Sequence, residues 1–249
     1  MTLKTRLAAG EPLLGTFQKT PSAIVTEVLA GSGLDLLCLD AEHAPFDRLA
    51  IDACCMAARA GGMPLLVRTA TAAPEHILSA LDSGADGVLL PHIRSVAEAE
   101  AAVCASHYGA GGRGYAGSSR AAGYGGRGMA EHRAASAART VVIVQIEDVE
   151  AVDAVDAIAA VRGLDALFIG RIDLTVSLDA ASPAAPDVMT MVERVCAAGR
   201  AASVPVGMFV GDLSEVPRWR EAGATLFLLA SDHAFLLAGA RDLRRAAGF

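Results

Sequence analysis

The sequence has few lysines, few aromatic residues and no excess of positive charge. Of its 21 basic residues only Lys4 and Lys19 are lysines, and Phe, Tyr and Trp together make up 4% of the 249 residues. Acidic residues outnumber basic ones, which gives a formal net charge of −7. Surfaces that bind nucleic acids or anionic membranes need an excess of positive charge. The composition therefore argues against both classes of partner.

Long apolar runs and paired cysteines are also missing. No run approaches the roughly 18 residues of a membrane span, and residues 1–14 lack the apolar core of a secretory signal. We therefore expect a soluble, cytoplasmic protein. The cysteines are odd in number and show no CxxC spacing, so we expect buried free thiols rather than disulfides. They are Cys38, Cys54, Cys55, Cys104 and Cys196.

Short apolar runs alternate along the chain with longer, Ala-rich helical stretches. Runs of this kind are typical of strands covered on both faces. The predicted strands are 13–17, 34–40, 64–68, 87–91, 140–146, 166–170, 205–209 and 225–230. The predicted helices are 21–31, 46–61, 74–83, 95–106, 150–161, 187–202, 212–222 and 232–247. Eight such repeats predict one (β/α)8 barrel domain over residues 1–249.

Residues 107–128 interrupt this regular pattern with nine glycines in 22 positions. They lie between the fourth predicted helix and the fifth predicted strand, so we expect them at the N-terminal side of the barrel or folded across it. The composition favours a flexible surface loop. The alternative is a mobile cover or a subunit contact that carries Arg113 and Arg120.

Polar and ionisable residues follow five consecutive predicted strands. They are Asp40, Glu42 and His43 after the second strand, Arg68 at the end of the third, His92 after the fourth, Gln145, Glu147 and Asp148 around the end of the fifth, and Arg171 and Asp173 after the sixth. A barrel brings the carboxyl ends of its strands to one rim, where barrel proteins carry their functional groups. We therefore predict a site at this rim.

Glu147 and Asp173 follow neighbouring strands, whose ends lie about 5 Å apart. Two carboxylates this close repel each other unless a cation or a shared proton lies between them. Because no Cys or His with ligand spacing is nearby, the hard oxygen donors indicate Mg²⁺ or Mn²⁺. The alternative is that both acids cap the helices that follow them.

Arg68 ends an otherwise apolar strand, so its guanidinium needs an anion. That anion is either a substrate carboxylate or a fixed partner, Asp40 or Glu42. His43 lies three residues after Asp40. A carboxylate that orients an imidazole produces a general base that works near neutral pH.

The other histidines are weaker candidates. His92 also follows a predicted strand, but no neighbouring residue in the sequence orients it. His76, His107 and His132 have no such placement, and we expect them on the surface.

Several of these segments occur together in an order and spacing that resemble the HpcH/HpaI aldolase family, the metal-dependent (class II) pyruvate aldolases. They are DAEHAP at 40–45, Arg68, LDSGADG at 81–87 with Pro91, QIE at 145–147 and FIGRIDL at 168–174. The resemblance covers roughly residues 12–235. It implies a pyruvate-type TIM barrel whose last helix is exchanged between the subunits of a homohexamer built from trimers.

The resemblance also implies roles for individual residues. Glu147 and Asp173 would bind Mg²⁺, Mn²⁺ or Co²⁺, and the metal would chelate the carboxylate and keto oxygens of pyruvate. Asp82 would reach the site of a neighbouring subunit, near the aldehyde. The remaining implied residues are Arg68 at the enolate oxygen, His43 held by Asp40 for proton transfer, and Gln145, Gly170, Ile172 and Asp173 for substrate binding.

The reaction implied is the cleavage of 4-hydroxy-2-oxo acids to pyruvate and an aldehyde through an enolate. A cation and an arginine at the keto oxygen would stabilise the charge that develops there. The other known solution, a Schiff base, needs a desolvated lysine in the barrel. Lys4 and Lys19 flank only the first predicted strand, so we do not expect that route.

Three other functions compete with this one. The same enolate would serve an oxaloacetate decarboxylase. A lyase for CoA thioesters, as in the related citrate lyase β-subunit group, is disfavoured because no basic cluster suits the CoA phosphates. A non-catalytic binding barrel is the third alternative. Arg171 departs from the family pattern, and we expect it to select a second anionic group on the substrate or to pair with Glu147 or Asp148.

Overall fold

Eight parallel strands close into a barrel in which each strand pairs with its neighbours in sequence. The structure is a computed structural model that describes residues 1–248. The strands are β1 (Leu13–Gln18), β2 (Leu36–Asp40), β3 (Leu65–Arg68), β4 (Gly87–Leu90), β5 (Val141–Ile146), β6 (Ala166–Ile169), β7 (Val206–Val210) and β8 (Ala224–Ser231). The (β/α)8 prediction is confirmed, and each strand end lies within two residues of its predicted position.

Helices surround the barrel. They are α1 (Leu3–Ala8), α2 (Ala23–Ala30), α3 (Arg48–Ala60), α4 (Pro74–Asp82), α5 (Val96–Ser106), α6 (Met129–Arg139), α7 (Val149–Asp153), α8 (Val155–Ala159), α9 (Arg171–Ser177), α10 (Pro186–Ala202), α11 (Val216–Glu221) and α12 (Asp232–Ala246). The predicted helix 150–161 is two short helices, and the predicted helix 212–222 begins with a 3₁₀ turn at Leu213–Glu215. Helices α1, α6 and α9 were not predicted from the sequence. Two of them, α1 and α9, have only six and seven residues, too few for a clear helical period.

Alternate residues of the strands point to the inside and the outside of the barrel. In β2, Leu36 and Cys38 belong to the interior cluster, whereas Leu37 and Leu39 pack in the layer between strands and helices. All four side chains are fully buried. Burial on both faces is the physical reason that these strands are continuously apolar.

Helix α1 closes the N-terminal end of the barrel. Leu3 and Leu7 join the interior cluster. Lys4 Nζ donates to the carbonyl oxygen of Thr140, 2.8 Å away, and lies 2.8 Å from Asp165 Oδ1. One of the two lysines therefore has a structural role at the end of the barrel opposite the carboxyl ends of the strands.

The glycine-rich segment 107–128 also lies at this N-terminal end, which is one of the two positions that we predicted. The backbone N–H of Ala121 donates to the carbonyl oxygen of Asp82 at 3.3 Å. The guanidinium of Arg120 pairs with Asp52, with Nη2 2.6 Å from Oδ2. These contacts fix the segment to α3 and to the end of α4.

Two surface and burial predictions are wrong. His132 is only 2% exposed, because its ring packs against the rings of Tyr108 and Tyr115 from the glycine-rich segment. Tyr108 and Tyr115 are far from His132 in sequence, so no local pattern indicated this cluster. Cys104 is exposed, whereas the other four free cysteines are buried as predicted.

Helix α12 leaves most of its surface uncovered. Leu236 is 68% exposed and Leu243 is 73% exposed. Exposed apolar side chains also lie on α2, where Ile24 is 71% and Val28 is 69% exposed. Within residues 1–248 we find no helix with the combined length and apolarity that a membrane crossing requires.

Candidate active site

The carboxyl ends of the strands surround a cleft of about 430 Å³, a volume typical of small-molecule sites. Most of the predicted site residues meet there. Its lining includes Lys19, His43, Arg68, Gln145, Gly170, Ile172 and Asp173. The rim predicted from the sequence is therefore a concave surface with charges of both signs.

Arg68 pairs with acids of the neighbouring strand end. Asp40 and Arg68 are partners in the β2–β3 register, so their side chains leave the barrel side by side. Arg68 Nη2 lies 2.9 Å from Asp40 Oδ2, and Nε lies 3.3 Å from Glu42 Oε2. Burial opposes ionisation of Asp40, but the guanidinium outweighs it and holds the pKa of that carboxyl below its ordinary value. Of the two anions predicted for Arg68, a substrate carboxylate or a fixed partner, the structure contains the fixed partners Asp40 and Glu42.

A second cation shares Asp40. Lys19 Nζ lies 3.2 Å from Asp40 Oδ2, and the backbone N–H of Lys19 donates to Asp232 Oδ1 at 2.7 Å. On the other side, the guanidinium of Arg68 lies 4.6 Å from the ring centre of Phe17. Lys19 was not predicted to lie at the site. Its position directly after a strand was the available signal.

His43 is held differently from the way that we expected. Its backbone N–H, not its ring, donates to Asp40 Oδ1 at 3.1 Å. The imidazole Nε2 lies 3.6 Å from Glu42 Oε2, and the side chain is 53% exposed. The structure therefore places Glu42 beside the imidazole, in the role that was expected of Asp40.

Glu147 is buried at the end of β5, with 2% of its surface exposed. Its Oε1 accepts a hydrogen bond from the backbone N–H of His92 at 2.7 Å, and its Oε2 accepts one from the side-chain amide of Gln145. Burial raises the pKa of Glu147, and the nearby carboxylate of Asp173 raises it further. One partner follows β4 and the other lies on β5 itself, so Glu147 does not cap α7, and the capping alternative is wrong for this residue.

His92 is surrounded by acids that the sequence does not place near it. Its Nδ1 lies 3.2 Å from both Glu147 Oε1 and Asp148 Oδ2, and its Nε2 lies 3.7 Å from Glu42 Oε1. The expectation that nothing orients this ring is therefore wrong. Glu147 and Asp148 follow the adjacent strand β5, whereas Glu42 follows β2, which β3 separates from β4.

The segment after β6 passes very close to Glu147. A Cβ on Gly170 would lie 2.8 Å from Glu147 Oε2 and 3.0 Å from Gln145 Nε2, so only glycine fits there. Asp173 follows in the first turn of α9, and Ile172 is half exposed. The close approach of this backbone brings Asp173 and Glu147 to the same wall of the cleft.

Arg171 points away from these acids. Its guanidinium makes two hydrogen bonds, of 2.9 and 2.7 Å, to the carboxylate of Glu215. It also lies 5.9 Å from the ring centre of Trp219. The predicted pairing with Glu147 or Asp148 is wrong, because the connection after β7 supplies a closer carboxylate.

Asp82 is not part of this cleft. It is the last residue of α4, and the helices of a (β/α)8 barrel run antiparallel to its strands, so it lies at the opposite end of the barrel. It is 8% exposed and lies 3.9 Å from Arg113 Nε. Within one chain Asp82 therefore cannot reach a substrate held by Glu147 and Arg68.

A known protein family matches nearly the whole chain. The family model described as HpcH/HpaI aldolase/citrate lyase matches residues 13–238. The chain belongs to this family. The resemblance stated from the sequence is confirmed.

Members of the HpcH/HpaI family resemble the chain along nearly its whole length. A hydroxypyruvate/pyruvate aldolase of Paraburkholderia phytofirmans is 34% identical over 248 residues, which is 96% of this chain and 95% of the relative. A 5-keto-4-deoxy-D-glucarate aldolase of Salmonella arizonae is 35% identical over 242 residues, 96% of this chain and 94% of the relative. These relatives are aldolases, which supports a lyase as the class of enzyme.

A solved structure shares the fold closely. The HpcH/HpaI aldolase/citrate lyase family protein of Burkholderia cenocepacia superposes with a TM-score of 0.93 at 37% identity, covering 98% of both chains. The aldolase of Desulfitobacterium hafniense superposes with a TM-score of 0.92 at 29% identity, covering 100% of this chain and 98% of the other. The barrel and its connections are therefore those of the family.

Proposed function

We propose that the chain is a class II pyruvate aldolase, a divalent-metal-dependent lyase that cleaves 4-hydroxy-2-oxo acids to pyruvate and an aldehyde. One observation carries the proposal, namely the row of charges along the rim. Glu42 contacts Arg68 on one side and His92 on the other, and His92 contacts Glu147. A cation held by buried acids, together with an arginine, stabilises the enolate that forms from a keto acid.

The acids of the cleft fit a divalent cation. Glu42 Oε2 is buried and has no hydrogen-bond donor among the described residues. Burial raises the pKa of both Glu42 and Glu147, and the carboxylate of Asp173 raises both further. Arg68 and His92 offset part of this negative charge, and such a group of buried acids favours a bound cation such as Mg²⁺, Mn²⁺ or Co²⁺. Glu147 and Asp173 would hold it, and it would supply Lewis-acid stabilisation of the substrate's keto oxygen.

Arg68 would stabilise the oxygen on which negative charge develops. Asp40 and Glu42 fix its guanidinium on one side, and the Phe17 ring supports its face. A donor that is held before the reaction begins needs no reorganisation when the charge appears. This rigidity is the reason for assigning the enolate oxygen to Arg68.

His43 is assigned the proton transfer. It would take the proton of the C4 hydroxyl, so that the aldehyde carbonyl forms while the C3–C4 bond breaks. The electron pair of that bond becomes the enolate, which accepts a proton at C3 to give pyruvate. The exposed ring of His43 lies at the mouth of the cleft, and Glu42 next to it would stabilise the imidazolium.

The remaining cleft residues are assigned to substrate binding. Gln145 Oε1 is buried without a donor among the described residues, so it has a free acceptor position. Gly170, Ile172 and Asp173 line the same wall. Because the backbone N–H of Gly170 already donates to the carbonyl oxygen of Ile146 at 3.1 Å, the N–H groups of Ile172 and Asp173 would receive the carboxylate of the keto acid.

Metal removal tests the proposal. The substrates are 4-hydroxy-2-oxo acids with tails of different charge, and lactate dehydrogenase reports pyruvate. We expect EDTA followed by dialysis to lower pyruvate release by at least about a hundredfold, because the cation contributes several kcal/mol to the barrier. Added Mn²⁺ or Mg²⁺ should restore the rate. Full activity after dialysis, without added metal, would contradict the proposal.

Borohydride supplies the control for a Schiff-base route, which matters because Lys19 lies in the cleft. An amine engaged by a carboxylate, as Lys19 is by Asp40, differs from the desolvated free amine that imine formation needs. Pyruvate with borohydride should therefore leave the protein mass unchanged. A mass increase located on Lys19 would support the imine route instead.

The proposal includes a homo-oligomer in which α12 packs on a neighbouring copy. Leu236 and Leu243 are seven residues apart, so they share one face of the helix. Exposed apolar patches of this kind mark interaction surfaces. Asp82, which is remote from the cleft of its own chain, would then serve the cleft of another copy. The expected assembly is a hexamer built from trimers.

Light scattering tests the assembly. We expect the double variant Leu236→Asp/Leu243→Asp to form a smaller species than the wild-type protein, because charge on the apolar face of α12 opposes packing. Arg241→Ala on the same helix is the control and should assemble normally. A wild-type protein that is monomeric at micromolar concentration would contradict the proposed oligomer.

A further inference from the structure

The turn after β4 holds His92 in an unusual backbone conformation. Its φ is +54°, a region that few residues other than glycine adopt, with Asn, Asp and His the most frequent exceptions. This turn directs the backbone N–H of His92 to Glu147 Oε1 at 2.7 Å. Backbone strain persists where the surroundings fix it, and it is concentrated at functional sites. Here the fixing partner is a buried acid of the proposed metal site.

The side chain of His92 completes a compact set of ligand atoms. Glu42, His92 and Glu147 each offer one ligand atom, and these atoms all lie within 4.8 Å of one another. Ligands that share an ion at about 2.1 Å lie roughly 3 to 4 Å apart. These ligand atoms therefore lie slightly farther apart than in a metal-bound site, and small side-chain rotations would bring them to coordination distance.

Glu42 presents one oxygen to this set and the other to Arg68. Its Oε1 lies 3.7 Å from His92 Nε2, its Oε2 lies 3.3 Å from Arg68 Nε, and the side chain is only 9% exposed. Both ring nitrogens of His92 face carboxylates, with Nδ1 3.2 Å from both Glu147 and Asp148 and Nε2 towards Glu42. A cation between these groups would satisfy the acid and give the imidazole a metal to bind.

We propose that His92 supplies an imidazole nitrogen to the divalent cation held at Glu147, so that the site is not an all-oxygen one. This inference rests on the proposed function, because both require a cation at Glu147. Imidazole favours Co²⁺, Ni²⁺ and Zn²⁺, whereas carboxylate and water suit Mg²⁺. His92 therefore increases the affinity of the site for Co²⁺, Ni²⁺ and Zn²⁺ relative to its affinity for Mg²⁺.

The substitution His92→Asn tests this role. Asn tolerates a positive φ, so the turn and its N–H donor to Glu147 are kept while the imidazole is lost. The matched control is His43→Asn. His43 has a side-chain exposure of 53%, against 52% for His92, and lies at the same rim.

The first readout is spectroscopic. Pulsed electron paramagnetic resonance of the Mn²⁺-loaded wild-type protein should show modulation from a coordinated imidazole nitrogen. We expect His92→Asn to lose that modulation and His43→Asn to keep it. Modulation that persists in His92→Asn overturns the assignment.

The second readout is the ratio of affinities for Co²⁺ and Mg²⁺, measured by titration with each metal alone. We expect His92→Asn to weaken Co²⁺ binding at least about tenfold and Mg²⁺ binding by less than about threefold, because the lost ligand is one that Mg²⁺ does not prefer. An unchanged ratio overturns the inference.

The result for the wild-type protein separates this inference from the proposed function. A wild-type protein that binds Mn²⁺ without nitrogen modulation, and loses that binding in Glu147→Gln, overturns the role of His92 alone. A wild-type protein that binds none of these cations overturns both proposals.

Discussion

Replacing Glu147 by Gln is expected to abolish cation binding and to lower kcat/KM for pyruvate release by about a thousandfold. The neutral amide keeps the size of the side chain but removes the negative charge that would hold the cation. The lost Lewis-acid stabilisation corresponds to several kcal/mol of the barrier, and 1.4 kcal/mol is a factor of ten in rate. Mn²⁺ titration and the coupled pyruvate assay measure the two losses.

The control for this variant is Glu150→Gln, the same chemical change three residues later. Glu150 is exposed in the first turn of α7, so we expect its rate and Mn²⁺ affinity to stay within about twofold of wild type. Burial disfavours the ionised form of Glu147 in the metal-free protein, so Glu147→Gln should remain folded in EDTA. Retention of Mn²⁺ binding and turnover in Glu147→Gln would contradict the assignment of Glu147 as a metal ligand.

Replacing Arg68 by Met is expected to cost both activity and stability. Removing one donor from a preorganised oxyanion site typically lowers kcat by about 10²–10³. Arg68 is 7% exposed and its partner Asp40 is fully buried, so the change leaves a buried acid without its main cation. Removing one partner of a buried ion pair costs about 3–5 kcal/mol of folding free energy. Steady-state kinetics and urea unfolding measure the two effects.

A double variant separates the two contributions. In Asp40→Asn/Arg68→Met neither charge of the pair remains. We therefore expect this double variant to regain a large part of the folding free energy that is lost in Arg68→Met, while its turnover stays low. Replacing both partners of a buried pair is often nearly neutral for stability. A single variant Arg68→Met with wild-type kcat/KM would show that this arginine acts only as a structural partner of Asp40.

The sequence predicted the architecture well because the signals for it are local. Runs such as 141–144 are apolar and buried at every position, and a strand covered on both faces requires that pattern. Glycines at the ends of the helical stretches mark the returns to the next strand. The short helices α1 and α9 were not predicted because six or seven residues are too few to show a helical period.

The site was predicted less completely than the fold. Arg68, Glu147 and Asp173 were predicted as site residues because a charged residue at the end of an apolar strand is conspicuous. The contacts of Arg68 with Asp40 and Glu42 were also predicted, but those of Lys19 and Arg171 were not. Lys19 meets Asp40 across the β1–β2 edge, and Arg171 turns to Glu215 in a connection that is 44 residues away in sequence.

By itself the sequence determined that eight strands alternate with helices and which polar side chains stand at the strand ends, since both follow from short-range patterns of burial. Only the tertiary structure decided which of those side chains touch. It placed His92 between Glu42 and Glu147 and put Asp82 at the far end of the barrel. The physical reason is that contacts across a closed sheet depend on strand register and on backbone turns such as that of His92, and local periodicity encodes neither.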